Sequence, residues 1–216
     1  PGLGVLLPDI RRYRLDLSTW ELPPSQGKPP EARAEHALVA IDEGAQLLVF
    51  GGRTQAGLKN DLWRFDTKTF KWTRLADQQT APTPRRGASL AATKTHVWLF
   101  GGRDDSKQGF RNDLWRMPVA AVGKWQRLRA GDLGSGATSG GILTPLTDAC
   151  LAPSGFTALD SLSPPRRSHA LLSVSSDALW LFGGRGECGA LGDVWRLAPG
   201  QGTWTLGHAD RRGWSC

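Results

Sequence analysis

The clearest pattern along the chain is a short apolar run that occurs three times, at Leu47–Phe50 (LLVF), Val97–Phe100 (VWLF) and Leu179–Phe182 (LWLF). Each run leads into Gly-Gly-Arg, then a loop of variable length, then Asp-Leu-Trp-Arg or Asp-Val-Trp-Arg. A second Trp follows nine or ten residues after the first. A weaker apolar segment precedes each run, at Ala32–Val39, Pro84–Ala91 and Pro165–Leu172. Alternation of polar and apolar positions, β-branched and aromatic residues, and Gly and Pro at the breaks predict strands rather than helices. Each unit reads as four short strands, a to d. Strand a follows the turn carrying Arg33, Arg85 or Arg166, and strand b ends at the glycine pair. Strand c holds the Asp-x-Trp, and strand d holds the last Trp.

The first glycines of the pairs, Gly51 and Gly101, are 50 residues apart, and Gly183 follows 82 later because of the stretch 129–163. One Gly-Gly carries little information, but three sets in register with the same Asp and Trp positions are highly specific. The unit resembles the kelch repeat. The likeness rests on Gly51, Gly52, Gly101, Gly102, Gly183 and Gly184, on Asp61, Asp113 and Asp193, on the strand-c Trp63, Trp115 and Trp195, and on the strand-d Trp72, Trp125 and Trp204. It implies an all-β, kelch-type β-propeller of four-stranded antiparallel blades.

Blades stack face to face, so large flat side chains suit both faces, and ten Trp beside a single Tyr fit that need. Tyr13–Leu22 reads as strands c and d of an earlier unit, and Arg211–Cys216 as the opening of another strand a. The expected organisation is three complete repeats and two partial ones. A partial blade occupies 1–22, complete blades 31–75, 83–128 and 164–206, a Gly/Ser/Thr-rich inserted loop 129–163, and the start of a further blade 207–216. Propellers close with about four to eight blades. The expectation is therefore an incomplete or unusually short ring, or a window from a longer chain.

Charge adds a direction. The formal net charge is +7, and arginine supplies most of the base. In an antiparallel meander the b–c and d–a connections share one end of the sheet and the a–b and c–d turns share the other. The sequence then places a surplus of positive charge on the b–c/d–a face and none on the opposite face. Candidates for partner contact are Arg53, Lys59, Arg86, Arg103, Lys107, Arg111, Arg167 and Arg185. Three arginine series recur with the repeat: Arg33, Arg85, Arg166 and Arg211; Arg53, Arg103 and Arg185; Arg64, Arg116 and Arg196. Residues locked to a repeat suit structural work, pairing the recurring Asp or stacking on Trp. Arg86, Arg167, Lys59, Lys107 and Arg111, in more variable places, are the stronger contact candidates. The inserted loop lies on the same face and reads as a packing or partner-contact element.

Catalytic readings find little support. His36 and His169 share a strand-a repeat position, where Ala88 stands in the middle unit, and read as structural. No HxH or HExxH spacing, no CxxC pair and no phosphate-loop motif occurs, so no metal or cofactor is expected. Copper radical oxidases that resemble galactose oxidase need two tyrosine ligands, and Tyr13 is the only tyrosine. Cys150, Cys188 and Cys216 form an odd set that favours a reducing, intracellular and cytoplasmic setting, and no apolar run is long enough to span a membrane. The expectation is a non-catalytic scaffold or recruiting module within a larger assembly, whose basic face binds an acidic or phosphorylated protein segment. Two alternatives stand beside it: a ribonucleoprotein subunit holding RNA phosphates, and the non-catalytic propeller of a multidomain enzyme.

Overall fold

The computed structural model describes residues 5–75, 80–106, 109–128, 166–175, 178–186, 189–198 and 203–208. The stretch 129–163, Lys107, the three cysteines and everything after His208, including Arg211 and Trp214, lie outside the described residues. A two-stranded antiparallel sheet comes first, β1 (Arg12–Arg14) with β2 (Thr19–Glu21). The first four-stranded sheet runs through β3 (Ala37–Ile41), β4 (Gln46–Thr54), β5 (Gly57–Asp66) and β6 (Lys71–Leu75). The second holds β7 (Ser89–Ala92), β8 (His96–Phe100), β9 (Leu114–Pro118) and β10 (Gln126–Leu128). The third holds β11 (Ala170–Ser175), β12 (Ala178–Gly186), β13 (Gly189–Ala198) and β14 (Thr203–His208). In each four-stranded sheet only sequence neighbours pair, always antiparallel. These are four-stranded antiparallel blades of the kind the resemblance implies, three complete and one partial, and the described residues do not close a ring. Among them, no helix is long and apolar enough to cross a membrane.

Strand a begins at Ala37, Ser89 and Ala170, after the arginine turn, as the repeat pattern predicts. The strands depart from the sequence reading in one place. The glycine pair does not end strand b in the first and third blades. There β4 and β12 continue to Thr54 and Gly186, with a register shift at Phe50/Gly52 and at Phe182/Gly184. Gly51 (φ 63°) and Gly52 (φ 94°) are both left-handed, so the pair forms a bulge that swings the strand without stopping it. A Cβ on Gly51 would lie 2.8 Å from the Arg85 carbonyl oxygen, and one on Gly52 would lie 2.8 Å from that of Ala34. The glycines admit the neighbouring blade as well as the turn.

The same three backbone bonds join each pair of consecutive complete blades. Gly52 N donates to Arg85 O (2.8 Å), Arg85 N to Lys59 O (3.0 Å) and Gly87 N to Glu35 O (2.8 Å). At the next junction Gly102 N donates to Arg166 O (2.8 Å), Arg166 N to Arg111 O (3.0 Å) and Ser168 N to Gly87 O (2.7 Å). Apolar side chains close the wedge outside these bonds. Phe50 meets Trp125 at 5.6 Å between ring centroids, and Phe100 meets Trp204 at 5.3 Å. Leu48, Val97, Leu99, Leu179 and Leu181 between the blades are fully buried.

The blade interior depends on a buried ion pair. Arg33 donates to both oxygens of Asp61 (2.7 and 2.9 Å), Arg85 to both of Asp113 (2.6 and 2.9 Å), and Arg166 to both of Asp193 (2.6 and 2.9 Å). The same Nη1 also donates to the carbonyl of Gly51, Gly101 or Gly183 at 2.8 to 3.0 Å. The strand-c Trp completes the cluster. Trp63, Trp115 and Trp195 donate Nε1 to the same carboxylates at 2.6, 2.8 and 2.6 Å. Burial alone would raise the Asp113 carboxyl, but the bonds from Arg85 and Trp115 outweigh it and hold the group below its usual range. Of the three arginine series, this is the one that pairs the recurring Asp.

Removing one partner of such a pair leaves a buried charge bare. Arg85→Ala is expected to lower stability in urea denaturation by about 3–5 kcal/mol. The double variant Arg85→Met/Asp113→Leu should recover much of that loss. Equal losses in the single and double variants would show that the ion pair is not what the site needs.

Candidate functional site

The face singled out by charge is built where strand a begins and strand b ends. Isolated bridges pair Ala34 with Arg53, Arg86 with Arg103, and Arg167 with Arg185. Arg53, Arg103 and Arg185 thus hold one repeat position, and in two blades an arginine stands directly across from each. The pairing is a full backbone exchange. Arg86 N donates to Arg103 O at 3.0 Å and Arg103 N to Arg86 O at 2.8 Å; Arg167 and Arg185 do the same at 3.1 and 2.9 Å. Like charges directly opposite one another weaken a ladder. Two such pairs on one face are a local cost that packing does not require.

The acids on this face are unevenly shared. Lys59 Nζ lies 3.1 Å from Glu31. Arg111 Nε donates to Asp104 at 2.6 Å. Burial would raise the Asp104 carboxyl, but bonds from Ser106 and Arg111 hold it below its usual range. Arg86 and Arg167 converge on one carboxylate, Glu35, with Nη1 to oxygen distances of 2.7 and 3.3 Å. Arg103 lies over the Phe110 ring, 5.2 Å from its centroid. Among the described residues Arg53, Arg103 and Arg185 meet no carboxylate. Sequence variability favoured Arg86, Arg167, Lys59 and Arg111, yet these four have acidic neighbours, whereas the repeat-locked Arg53 series has none. In the Arg64 series, Arg116 lies 5.9 Å from the Trp98 ring centroid, a stacking role.

Glu35 escaped the sequence reading. Its repeat position is filled by Gly87 and Ser168, and all three are left-handed, with φ of 54°, 64° and 53°. A long charged residue where the repeat otherwise carries a small one was the available signal. Between the inner strands lies a cavity of about 330 Å³ whose lining includes Glu35, His36, Ser89, Ser168 and His169. Among the described residues no group of three or more His, Cys, Asp and Glu could hold a metal ion. The face offers guanidinium groups, whose donors suit carboxylate or phosphate oxygens.

His36 and His169 separate in burial. His36 is exposed, whereas His169 is 8% exposed, with its ring edge-on to Phe100 at 5.4 Å. Neither His169 ring nitrogen has a hydrogen-bond partner among the described residues. Burial, with Arg166 adding to it, pushes the imidazole down to about 3. The ring is neutral in the folded protein and titrates near 6.5 when unfolded. Protons then favour the unfolded chain, so stability is full above pH 6.5 and falls on acidification toward pH 3. The slope from this one group is at most about 1.4 kcal/mol per pH unit. His169→Ala, which installs the residue found at Ala88, should flatten the stability profile between pH 6.5 and 4.5 in denaturant titrations. An unchanged slope would contradict this account of His169.

Known proteins share this repeat at the level of sequence. A family model described as the KLHDC2/KLHL20/DRC7 Kelch-repeats domain matches residues 4–142. The chain is 38% identical over 116 residues to acyl-CoA-binding domain-containing protein 5 of Arabidopsis thaliana, covering 54% of this chain and 18% of that protein. It is 26% identical over 221 residues to host cell factor of Drosophila melanogaster, covering 93% of this chain and 13% of the relative. Against kelch domain-containing protein 2 of Bos taurus it is 38% identical over 104 residues, covering 47% of this chain and 25% of the relative. The chain thus spans a quarter or less of each of these relatives. The family match runs through more than half of the chain, over glycine bulges and Asp-x-Trp strands that repeat in register, and the chain belongs to the kelch-repeat family.

Proposed function

We propose that this chain is a non-catalytic interaction module, a scaffold or recruiting part of a larger assembly, whose b–c/d–a face binds an acidic segment of a partner protein. The observation that carries the reading is the pair of cross-strand arginine couples, Arg86 with Arg103 and Arg167 with Arg185, of which only Arg86 and Arg167 reach a carboxylate, that of Glu35. A fold gains nothing from opposing like charges. A partner that brings carboxylates to them gains charge-assisted, bidentate bonds and electrostatically steered association. Membership of the kelch family supports the module, because its relatives carry the matched region as a small part of much longer chains. The charge of the cluster supports the acidic partner.

The test is a double charge reversal, Arg103→Glu with Arg185→Glu. It should weaken binding of a labelled acid-rich peptide by at least about ten-fold, as expected when charged hydrogen bonds are lost. The same variant should keep or raise the thermal midpoint, because each substitution places an acid opposite Arg86 or Arg167. Retained binding would sink the proposal. Single-stranded RNA in the same assay covers the nucleic-acid alternative. Tight RNA binding with a steep logarithmic salt dependence, together with weak peptide binding, would favour phosphate recognition instead.

A further inference from the structure

We infer that Glu35 is an internal stand-in for the partner's acid, a competitor built into the inner strand that an acidic segment must displace from Arg86 and Arg167. The inference rests on the acidic-partner reading above and assigns a specific job to one residue within it. Three observations point to Glu35. First, the carboxylate bridges two blades that are not its own, one oxygen accepting from Arg86 and the other from Arg167, at 2.7 and 3.3 Å. Second, the residue holds a left-handed conformation (φ 54°) where the other blades place Gly87 and Ser168. A side chain longer than the position favours has been kept there, at a cost in backbone strain. Third, the contact is open. The side chains of Arg86, Arg167 and Glu35 are 20%, 21% and 33% exposed, so water and an incoming anion can reach all three.

These facts set the terms of competition. An exposed ion pair is weak and screened, so displacing Glu35 is cheap. Leaving Arg86 and Arg167 without any acid would set them against Arg103 and Arg185 across the ladder, so the free protein keeps a carboxylate in place. A single dilute carboxylate gains nothing by replacing one that is already tethered, because the tethered group acts at high effective concentration. A segment with several acids can engage Arg103 and Arg185 as well, and it prevails through added contacts. The partner is therefore a run of acidic side chains rather than an isolated one, and Glu35 sets the threshold.

The experiment uses the 216-residue chain and a fluorescein-labelled peptide of eight glutamates, followed by anisotropy at low salt. Glu35→Gln should bind the peptide about five-fold more tightly than the unmodified chain, the upper range for release of an exposed ion pair. Glu31→Gln removes the same charge from the same face beside Lys59, and should change binding by less than about two-fold. Equal tightening in both variants would overturn the inference, because net charge alone would then explain the effect. So would unchanged or weaker binding in Glu35→Gln while the unmodified chain binds, and in that case the acidic-partner reading stands. If neither chain binds the peptide, that reading and this inference fall together. Glu35→Gly, which copies Gly87, removes the carboxylate and the backbone strain together. It answers the same question if the glutamine variant is poorly folded.

Discussion

Each blade of this protein is organised around one guanidinium. Arg85 illustrates the constraint: it is 1% exposed, donates twice to Asp113, and caps the carbonyl of Gly101. Three strands are tied at that point, because the turn before strand a supplies the arginine, strand b the carbonyl and strand c the carboxylate. The desolvation cost of burying the pair is large, and an apolar triplet of the same shape could match its stability. What an apolar triplet could not supply is direction. Two parallel N–H···O bonds and a third to a carbonyl admit one register between three strands. The glycine pair follows from the same point, since its left-handed bulge exposes the carbonyl that the arginine caps. The backbone of that arginine then joins the preceding blade, with Arg85 O accepting from Gly52 and Arg85 N donating to Lys59 O.

Much of this was legible in the sequence, and the reasons are physical. Strands betray themselves by alternation, and three aligned copies of Gly-Gly, Asp and Trp cannot be coincidence. The blade order, the antiparallel meander and the face assigned to the b–c and d–a connections all followed from that. The fate of the glycines was misjudged. A glycine pair signals positive φ without saying whether the chain turns away or bulges and continues. Here β4 and β12 bulge and continue while β8 stops at Phe100, although all three glycine pairs have the same positive φ. That distinction is absent from the Gly-Gly-Arg that all three repeats share.

The arginines show a subtler limit. Three series recur, and recurrence alone could not say which one pairs the recurring Asp. A numerical trace existed: the pairing arginine precedes its Asp by 28, 28 and 27 residues, although the loops between them differ in sequence. Spacing preserved across strands a and b marks a contact that crosses them. Glu35 carried an equally faint signal, one long acid in a column otherwise holding Gly and Ser. Its meaning depended on knowing that two arginines from other blades reach it.

The free charge of the face follows from these pairings. Every recurring Asp is consumed inside its blade by the Arg33 series and a tryptophan, so none is left for the Arg53 series at the rim. Glu31 and Asp104 are likewise taken by Lys59 and Arg111. Among the described residues Arg53, Arg103 and Arg185 meet no carboxylate, while the recurring Asp of each complete blade is held in its interior. Lys59, Arg86, Arg111 and Arg167, by contrast, each lie beside an acid. A charge retained in every repeat, buried in none and opposed by a second arginine in two of three blades is the ground on which the acidic-partner proposal rests.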